Sequence, residues 1–290
     1  MEEFVHDRMA VIDIGSGSMK VSVFEKVGEK IKSVSEIVRG FRLCQKIGAS
    51  ISEKKIGITM GFFSNALSLA RSHRAKKIVA VATQAARRAP NFLTLQRKIF
   101  EKFAIDLHAI SGTKEATLVA NGVHMATGMN KFISFDVGCG SMEIVKFDGV
   151  VRDVWSLSIS AIDLSQTGDF AKAESFIANA FVPLPLSACE ISECSLVGIG
   201  GTLRVASLLI NGKMGNSLGY VELKSLFHTL EHMTEKERVE FGVSKARVDI
   251  FPFGLLVVLK LMESLGAEKL FLSNVTLRMS LALDFFSTLK

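Results

Sequence analysis

The sequence is poor in the residues that mark several special classes of protein. Four cysteines in 290 residues, Cys44, Cys139, Cys189 and Cys194, do not make a disulfide scaffold and fit a reducing interior. Cys189 and Cys194 stand five apart with no second Cys or His pair at zinc-ligand spacing, so no metal is expected there. Four prolines exclude a proline-rich linker protein, and 48% hydrophobic residues exclude a disordered chain. With one Trp, one Tyr and phenylalanines confined to apolar runs, the aromatic interleaving of a nucleic-acid platform is missing. No apolar run reaches the about 20 residues that a membrane helix needs; the longest, Ile250 to Leu259, holds Pro252 and stops at Lys260. The start, Met1-Glu2-Glu3, is acidic, and the first apolar stretch, Met9 to Ile14, runs into Gly15-Ser16-Gly17-Ser18 without an export signal. A cytoplasmic protein is expected, with neither nucleic acid nor membrane as partner.

The length suits two domains, each able to bury its own core. Net charge is +6, and basic residues cluster at Arg71, Arg74, Lys76 and Lys77, then at Arg87, Arg88, Arg97 and Lys98. Solvated helix faces explain most of them, although such a field favours a polyanionic partner. The mean hydropathy of +0.33 is read as well-filled cores plus a subunit contact, so a homodimer is expected.

The most informative feature is an internal repeat. Residues 9–25 carry Val11-Ile12-Asp13-Ile14-Gly15-Ser16-Gly17-Ser18, and residues 132–148 carry Ser134-Phe135-Asp136-Val137-Gly138-Cys139-Gly140-Ser141. Each copy reads as an apolar strand, a glycine turn and a second strand, a hairpin whose turn calls for glycine at positive φ and for close backbone approach to a ligand. The turns offer backbone N–H groups to an anion, and the opening acids, Asp13 and Asp136, can reach a cation that accompanies phosphate. One such copy would be an ordinary tight hairpin. Two, about a domain length apart, point to a duplicated phosphate-binding fold whose hairpins face a cleft.

The remainder alternates in the α/β manner. Strands are expected at Ile31–Val38, Lys77–Ala82, Ile105–Ile110 and Leu196–Ile199. Helices are expected at Ile56–His73, Pro90–Phe103, Glu115–His124, Ala171–Ala180, Thr202–Ile210, Val221–Phe241, Phe253–Ser264 and Leu277–Leu289. This pattern argues for layered sheets. Domains are placed at 1–125 and 126–290, because Asn121-Gly122 and Gly128-Met129-Asn130 interrupt the chain before the second repeat.

Several junctions carry candidate chemistry. Thr83 can cap a helix from which Arg87 points, either a surface arginine or a grip on phosphate. Glu115 lies in a first helical turn, where an acid suits the helix dipole but can also take a proton from an attacking water. Asp136 and Glu143 flank the second turn, a pairing that invites magnesium; the first copy has Lys20 in place of Glu143 and suits phosphate instead. Gly198-Ile199-Gly200-Gly201-Thr202 joins a strand to a helix, which serves either tight packing or an anion, and lacks a dinucleotide fingerprint. His228-Thr229-Leu230-Glu231-His232 matches an inverted zinc-protease string, but the helix's apolar stripe of Leu223, Leu226, Phe227, Leu230 and Met233 leaves both histidines towards solvent, and the match is set aside.

Taken in order, the blocks resemble the exopolyphosphatase/guanosine pentaphosphate phosphatase family, a branch of the actin-like ATPase superfamily. They are Ile12-Asp13-Ile14-Gly15-Ser16-x-Ser18, Ala82-Thr83-x-x-x-Arg87, Ile110-Ser111-Gly112-x-x-Glu115-Ala116, Asp136-x-Gly138-x-Gly140-Ser141-x-Glu143, Gly198-x-Gly200-Gly201-Thr202, Asp249-Ile250-x-Pro252-x-Gly254 and Ser273-x-x-x-Leu277-Arg278. The resemblance implies two ribonuclease-H-like domains around a cleft, with the last helix packing back on the first. It implies Glu115 as the base that activates water, and Asp136 and Glu143, with Asp13, at a Mg2+ site. Phosphate contacts fall to Gly15, Ser16, Gly17, Ser18, Lys20, Arg87, Gly138, Cys139, Gly140, Ser141, Gly200, Gly201 and Thr202. The chain departs from the family at Gly17, Lys114, Thr117, Cys139, Met142, Asn274, Thr276, Met279 and Ser280; Cys139 adds a side chain where backbone should meet phosphate. The expected function is magnesium-dependent hydrolysis of terminal phosphate from polyphosphate. Guanosine pentaphosphate hydrolysis is the alternative, and a non-catalytic sensor of nucleotide or polyphosphate is the alternative of another class.

Overall fold

The computed structural model describes residues 7–28, 30–185 and 194–288. Cys189 and the final residue of the expected last helix, Leu289, lie outside them. The described residues fall into two compact units, one running up to Leu118 and resuming at Leu277, the other spanning Val119–Thr276.

The first unit is built on a sheet of β1 (Arg8–Ile14), β2 (Ser18–Val27), β3 (Lys30–Gly40), β4 (Lys77–Ala82) and β5 (Leu107–Ala109), in the order β3-β2-β1-β4-β5. The β1–β2 and β2–β3 pairings are antiparallel, whereas β1–β4 and β4–β5 are parallel. β1 is buried on both faces, which is why residues 9–12 form an unbroken apolar run instead of an alternation. Ile12 and Ile14 pack with Phe62 and Phe63 of α1 (Glu53–Ser72). Met9 and Val11, on the opposite face, pack with Ala282 and Phe286 of α11 (Leu277–Ser287). By the period of two, Asp13 belongs to the Met9–Val11 face at the end of the strand. The α1 stripe of Ile56, Phe62, Phe63, Ala66, Leu67 and Ala70 is buried, and Ser52 caps the helix by accepting from Lys55 N–H. Around them lie α2 (Gln84–Arg88), α3 (Phe92–Phe103) and the start of α4 (Gly112–Thr127).

Arg278 ties α11 to this sheet. Its buried guanidinium lies 3.0 Å from Glu36 on β3, and the same carboxylate accepts from Ser22 Oγ at 2.9 Å. Arg278→Met should therefore lower unfolding stability by about 1–3 kcal/mol, read from urea denaturation, because half-exposed Glu36 regains water while the buried contacts are lost. An unchanged denaturation midpoint would mean that α11 is held by apolar packing alone.

The second unit repeats the pattern. β6 (Lys131–Val137), β7 (Met142–Asp148) and β8 (Val150–Leu157) run antiparallel, and β9 (Ser195–Ile199) and β11 (Lys269–Leu272) continue in parallel from β6. One extra strand, β10 (Ser217–Gly219), gives the order β10-β11-β9-β6-β7-β8. The duplication extends to register: Asp13 faces Lys20 across β1–β2, and Asp136 faces Glu143 across β6–β7. The helices are α5 (Ala161–Ser165), α6 (Phe170–Phe181), α7 (Gly201–Asn211), α8 (Tyr220–Glu231), α9 (Glu235–Glu240) and α10 (Phe251–Leu265). α10 holds the longest apolar run of the sequence and is buried on nearly every side, as a helix apolar all round must be. Among the described residues no helix is long and apolar enough to cross a membrane.

The single helix expected over Val221–Phe241 is two. α8 stops at Glu231, and Thr234 starts α9 with a capping box in which Glu237 returns a bond to the Thr234 amide at 2.7 Å.

Candidate functional site

Each glycine turn is closed by the same bond, Gly15 N–H to Ser18 O and Gly138 N–H to Ser141 O, both at 2.9 Å. Positive φ is not the reason for these two glycines: neither adopts it. The reason is crowding, because a Cβ at Gly15 would stand 3.1 Å from Ser18 O, and one at Gly138 would stand 3.0 Å from Ser141 O. The backbone approach is close on the protein's own side of the turn.

In the first unit the turn is tied to the β4–α2 junction. Thr83 N–H donates to Ile14 O at 3.1 Å, and Ser16 Oγ accepts from Ala85 N–H at 3.2 Å. Thr83 occupies the capping position of α2, but its side chain makes no capping bond; Ser16 supplies the acceptor from another element. Arg87 then reaches across to α4. Its guanidinium donates to Ile110 O at 2.5 Å and to Gln84 Oε1, and stands 3.9 Å from Glu115 Oε2. Ser111 starts α4, its carbonyl taking Glu115 N–H at 2.9 Å and its Oγ taking Lys114 N–H at 3.1 Å. Two candidates from separate sequence blocks, Arg87 and Glu115, are thus paired. Lys114 is exposed. Lys20 lies directly across from buried Asp13 on the neighbouring strand.

The second unit carries acids at the same register. Asp136 and Glu143 are direct cross-strand partners, and Glu143, which is buried, also accepts from Ser156 Oγ on β8 at 3.1 Å. Like charges so placed are unfavourable by themselves. The Asp136 carboxylate lies against Gly200, where a Cβ would fall 2.1 Å from Asp136 Oδ1, and Gly200 has φ +95°. Here positive φ and close approach both demand glycine. The next residue, Gly201, opens α7 under the guanidinium of Arg247, which a Cβ would meet at 2.3 Å. Thr202 is buried; its hydroxyl donates to Val137 O at 3.3 Å, and Gly254 of α10 presses against it so closely that a Cβ there would sit 3.0 Å from Thr202 Oγ1. Gly198 serves packing between strand and helix, since its Cβ would overlap Leu203. Cys139 packs with Ala161, Ile162 and Ile250, and its carbonyl accepts from Ser160 Oγ at 2.7 Å. Its extra side chain is therefore accommodated within the protein.

Arg247 was not among the sequence candidates. Its signal was its position two residues before the Asp249-Ile250-x-Pro252-x-Gly254 block: its carbonyl takes the Phe251 amide at 2.8 Å as α10 begins. His228 and His232 are solvent-facing, with Glu231 beside both.

The sequence profile of the Ppx/GppA phosphatase family matches residues 22–288. The chain belongs to the Ppx/GppA phosphatase family. A guanosine-5'-triphosphate,3'-diphosphate pyrophosphatase of Photobacterium profundum is 23% identical over 97% of this chain, which spans 60% of that relative's length. Among solved structures, an exopolyphosphatase from Cytophaga hutchinsonii superposes with a TM-score of 0.87 at 19% identity, covering 98% of this chain and 99% of its own. The Aquifex aeolicus Ppx/GppA family member gives 0.81 at 23% identity, over 98% and 99%. This Ppx/GppA protein accordingly has the two-domain, actin-like α/β fold that the family resemblance implies.

Proposed function

We propose that the protein is a magnesium-dependent exopolyphosphatase, which hydrolyses the terminal phosphoryl group of inorganic polyphosphate. The observation that carries this reading is the Asp136–Glu143 pair, set at the same register as Asp13–Lys20 and abutting the Gly200–Gly201 loop of a Ppx/GppA chain. The named activity of the Cytophaga hutchinsonii protein supports it, and that of the Photobacterium profundum protein is likewise hydrolysis of a phosphoanhydride. The second of these also favours guanosine pentaphosphate as the alternative substrate.

The donor set fits magnesium. Among the described residues no group of three or more His, Cys, Asp and Glu side chains forms a protein cage. Two opposed carboxylates are the expected number for an ion that keeps waters and takes oxygens from a phosphate substrate. Asp136 and Glu143 would hold it; Asp13 is the acid at the corresponding register of the first unit. When bound, the ion neutralises charge on the phosphoryl oxygens. Glu115 accepts the proton of the attacking water. The amides of the two turns and of Gly200–Gly201, with Lys20 and Arg247, offset the negative charge of the chain. Catalysis is then positioning and charge neutralisation: water adds to the terminal phosphorus, the bridging P–O bond breaks, and the shortened chain leaves with orthophosphate. A cytoplasmic homodimer belongs to the same proposal.

Orthophosphate release should stop on treatment with EDTA and return when magnesium is added in excess. Asp136→Asn should raise the magnesium concentration needed for half-maximal rate about tenfold or more. Full activity in EDTA would remove the metal from the account.

A further inference from the structure

The segment after β3 runs alongside the first glycine turn and is fastened to it. Phe41 N–H donates to Gly17 O at 3.0 Å, and Cys44 Sγ lies 3.9 Å from the carbonyl of Ala85, the residue whose amide binds Ser16 Oγ. Arg42 stands between those two anchors. From the first turn of α1, Lys55 brings Nζ to 4.2 Å from the centroid of the buried Phe41 ring, a contact that fixes where an ammonium sits.

The placement of these cations opposes local electrostatics in three ways. Lys54 and Lys55 occupy the first turn of α1, the helix end that favours acids. Lys55 is partly buried, and burial, with the Arg42 and Lys54 charges behind it, pulls its basicity below the ordinary lysine range despite an opposing contribution from Cys44. The acid in that turn, Glu53, pairs instead with Lys98 at 2.9 Å. Cations gathered beside a phosphate-type turn attract an anion.

We propose that Arg42 and Lys55 form an outer subsite beside the Gly15–Ser18 turn, which takes an internal phosphate of an extended polyphosphate chain. The inference rests on the polyphosphate reading and deepens it: the turn takes phosphate near the scissile end, and the outer pair grips the chain beyond, so the subsite selects for length.

The test is calorimetric titration of the full chain, in magnesium, with long-chain polyphosphate and with tripolyphosphate. Lys55→Gln and Arg42→Gln should each weaken long-chain binding about tenfold and tripolyphosphate binding by less than about twofold. The salt dependence of long-chain affinity should become shallower by about one unit of log–log slope for each cation removed. Lys55→Arg should restore affinity, and Lys213→Gln, which removes an exposed charge in the second unit, should change neither ligand. Equal weakening of both ligands, or unchanged long-chain affinity, overturns the subsite. The readout is binding without turnover. A parent protein that releases no orthophosphate yet loses long-chain affinity on Lys55→Gln would therefore defeat the catalytic reading and uphold the subsite.

Discussion

Glu115→Gln should lower the rate of orthophosphate release from polyphosphate by roughly 10²–10⁴-fold, the range over which a positioned proton acceptor acts. The substitution keeps the volume of the side chain and its place in the first turn of α4, and leaves Arg87 its bonds to Ile110 O and Gln84. Folding and polyphosphate affinity should therefore hold while kcat collapses. That split separates the proton-accepting role from a structural one, because loss of a helix-terminal acid alone would move stability by about 0.3–1 kcal/mol and leave the rate nearly intact. Parent-level turnover in this variant would mean that the Arg87–Glu115 pair only stitches α2 to α4.

Gly200→Ala should have the second-largest effect. The residue sits at φ +95° and ψ −177°, where a side chain costs about 1–3 kcal/mol of backbone strain. The new methyl would also fall 2.1 Å from Asp136 Oδ1, so either the carboxylate or the loop must shift. A displacement on the scale of an ångström at a catalytic group costs about 10²-fold in rate. A lower melting temperature together with a rise in the magnesium requirement is expected. The control is Gly57→Ala on α1, where an added Cβ meets nothing within 4 Å and which should be neutral or stabilising by about 0.5–1 kcal/mol. If Gly200→Ala behaved like the control, the loop would not be what positions Asp136.

The repeat made most of the fold legible. Asp13-x-Gly-x-Gly-Ser and its second copy foretold two hairpins; their matching register follows from turns of equal length, each closed between residues three apart. Long helices were read from their apolar stripes. The elements that sequence pattern left out were short or half-exposed: β8, with Arg152 and Asp153 on the surface, the five-residue α5, and the brief β10 and β11 at the far side of the second sheet. The split between α8 and α9 depended on the cap at Thr234, a local signal inside a stretch whose helical period barely breaks. Among site residues, Glu115 and Arg87 were visible as motif positions, but that they pair with each other is set by the chain path from β5 to α4. Arg247 was hidden because its partner, Gly201, lies 46 residues earlier, and glycine leaves no mark of what fills the space above it. The expectation that Gly15 and Gly138 need positive φ failed for a physical reason: these turns close by an amide-to-carbonyl bond so tight that a Cβ would press on the acceptor.

The central claim is that this chain cleaves polyphosphate from its end instead of merely holding it. The most direct measurement is a time course of purified protein with long-chain polyphosphate and magnesium, following orthophosphate and the length of the remaining chains together. Orthophosphate should appear from the start, with no short fragments. Tight binding with no orthophosphate on either polyphosphate or guanosine pentaphosphate would contradict it.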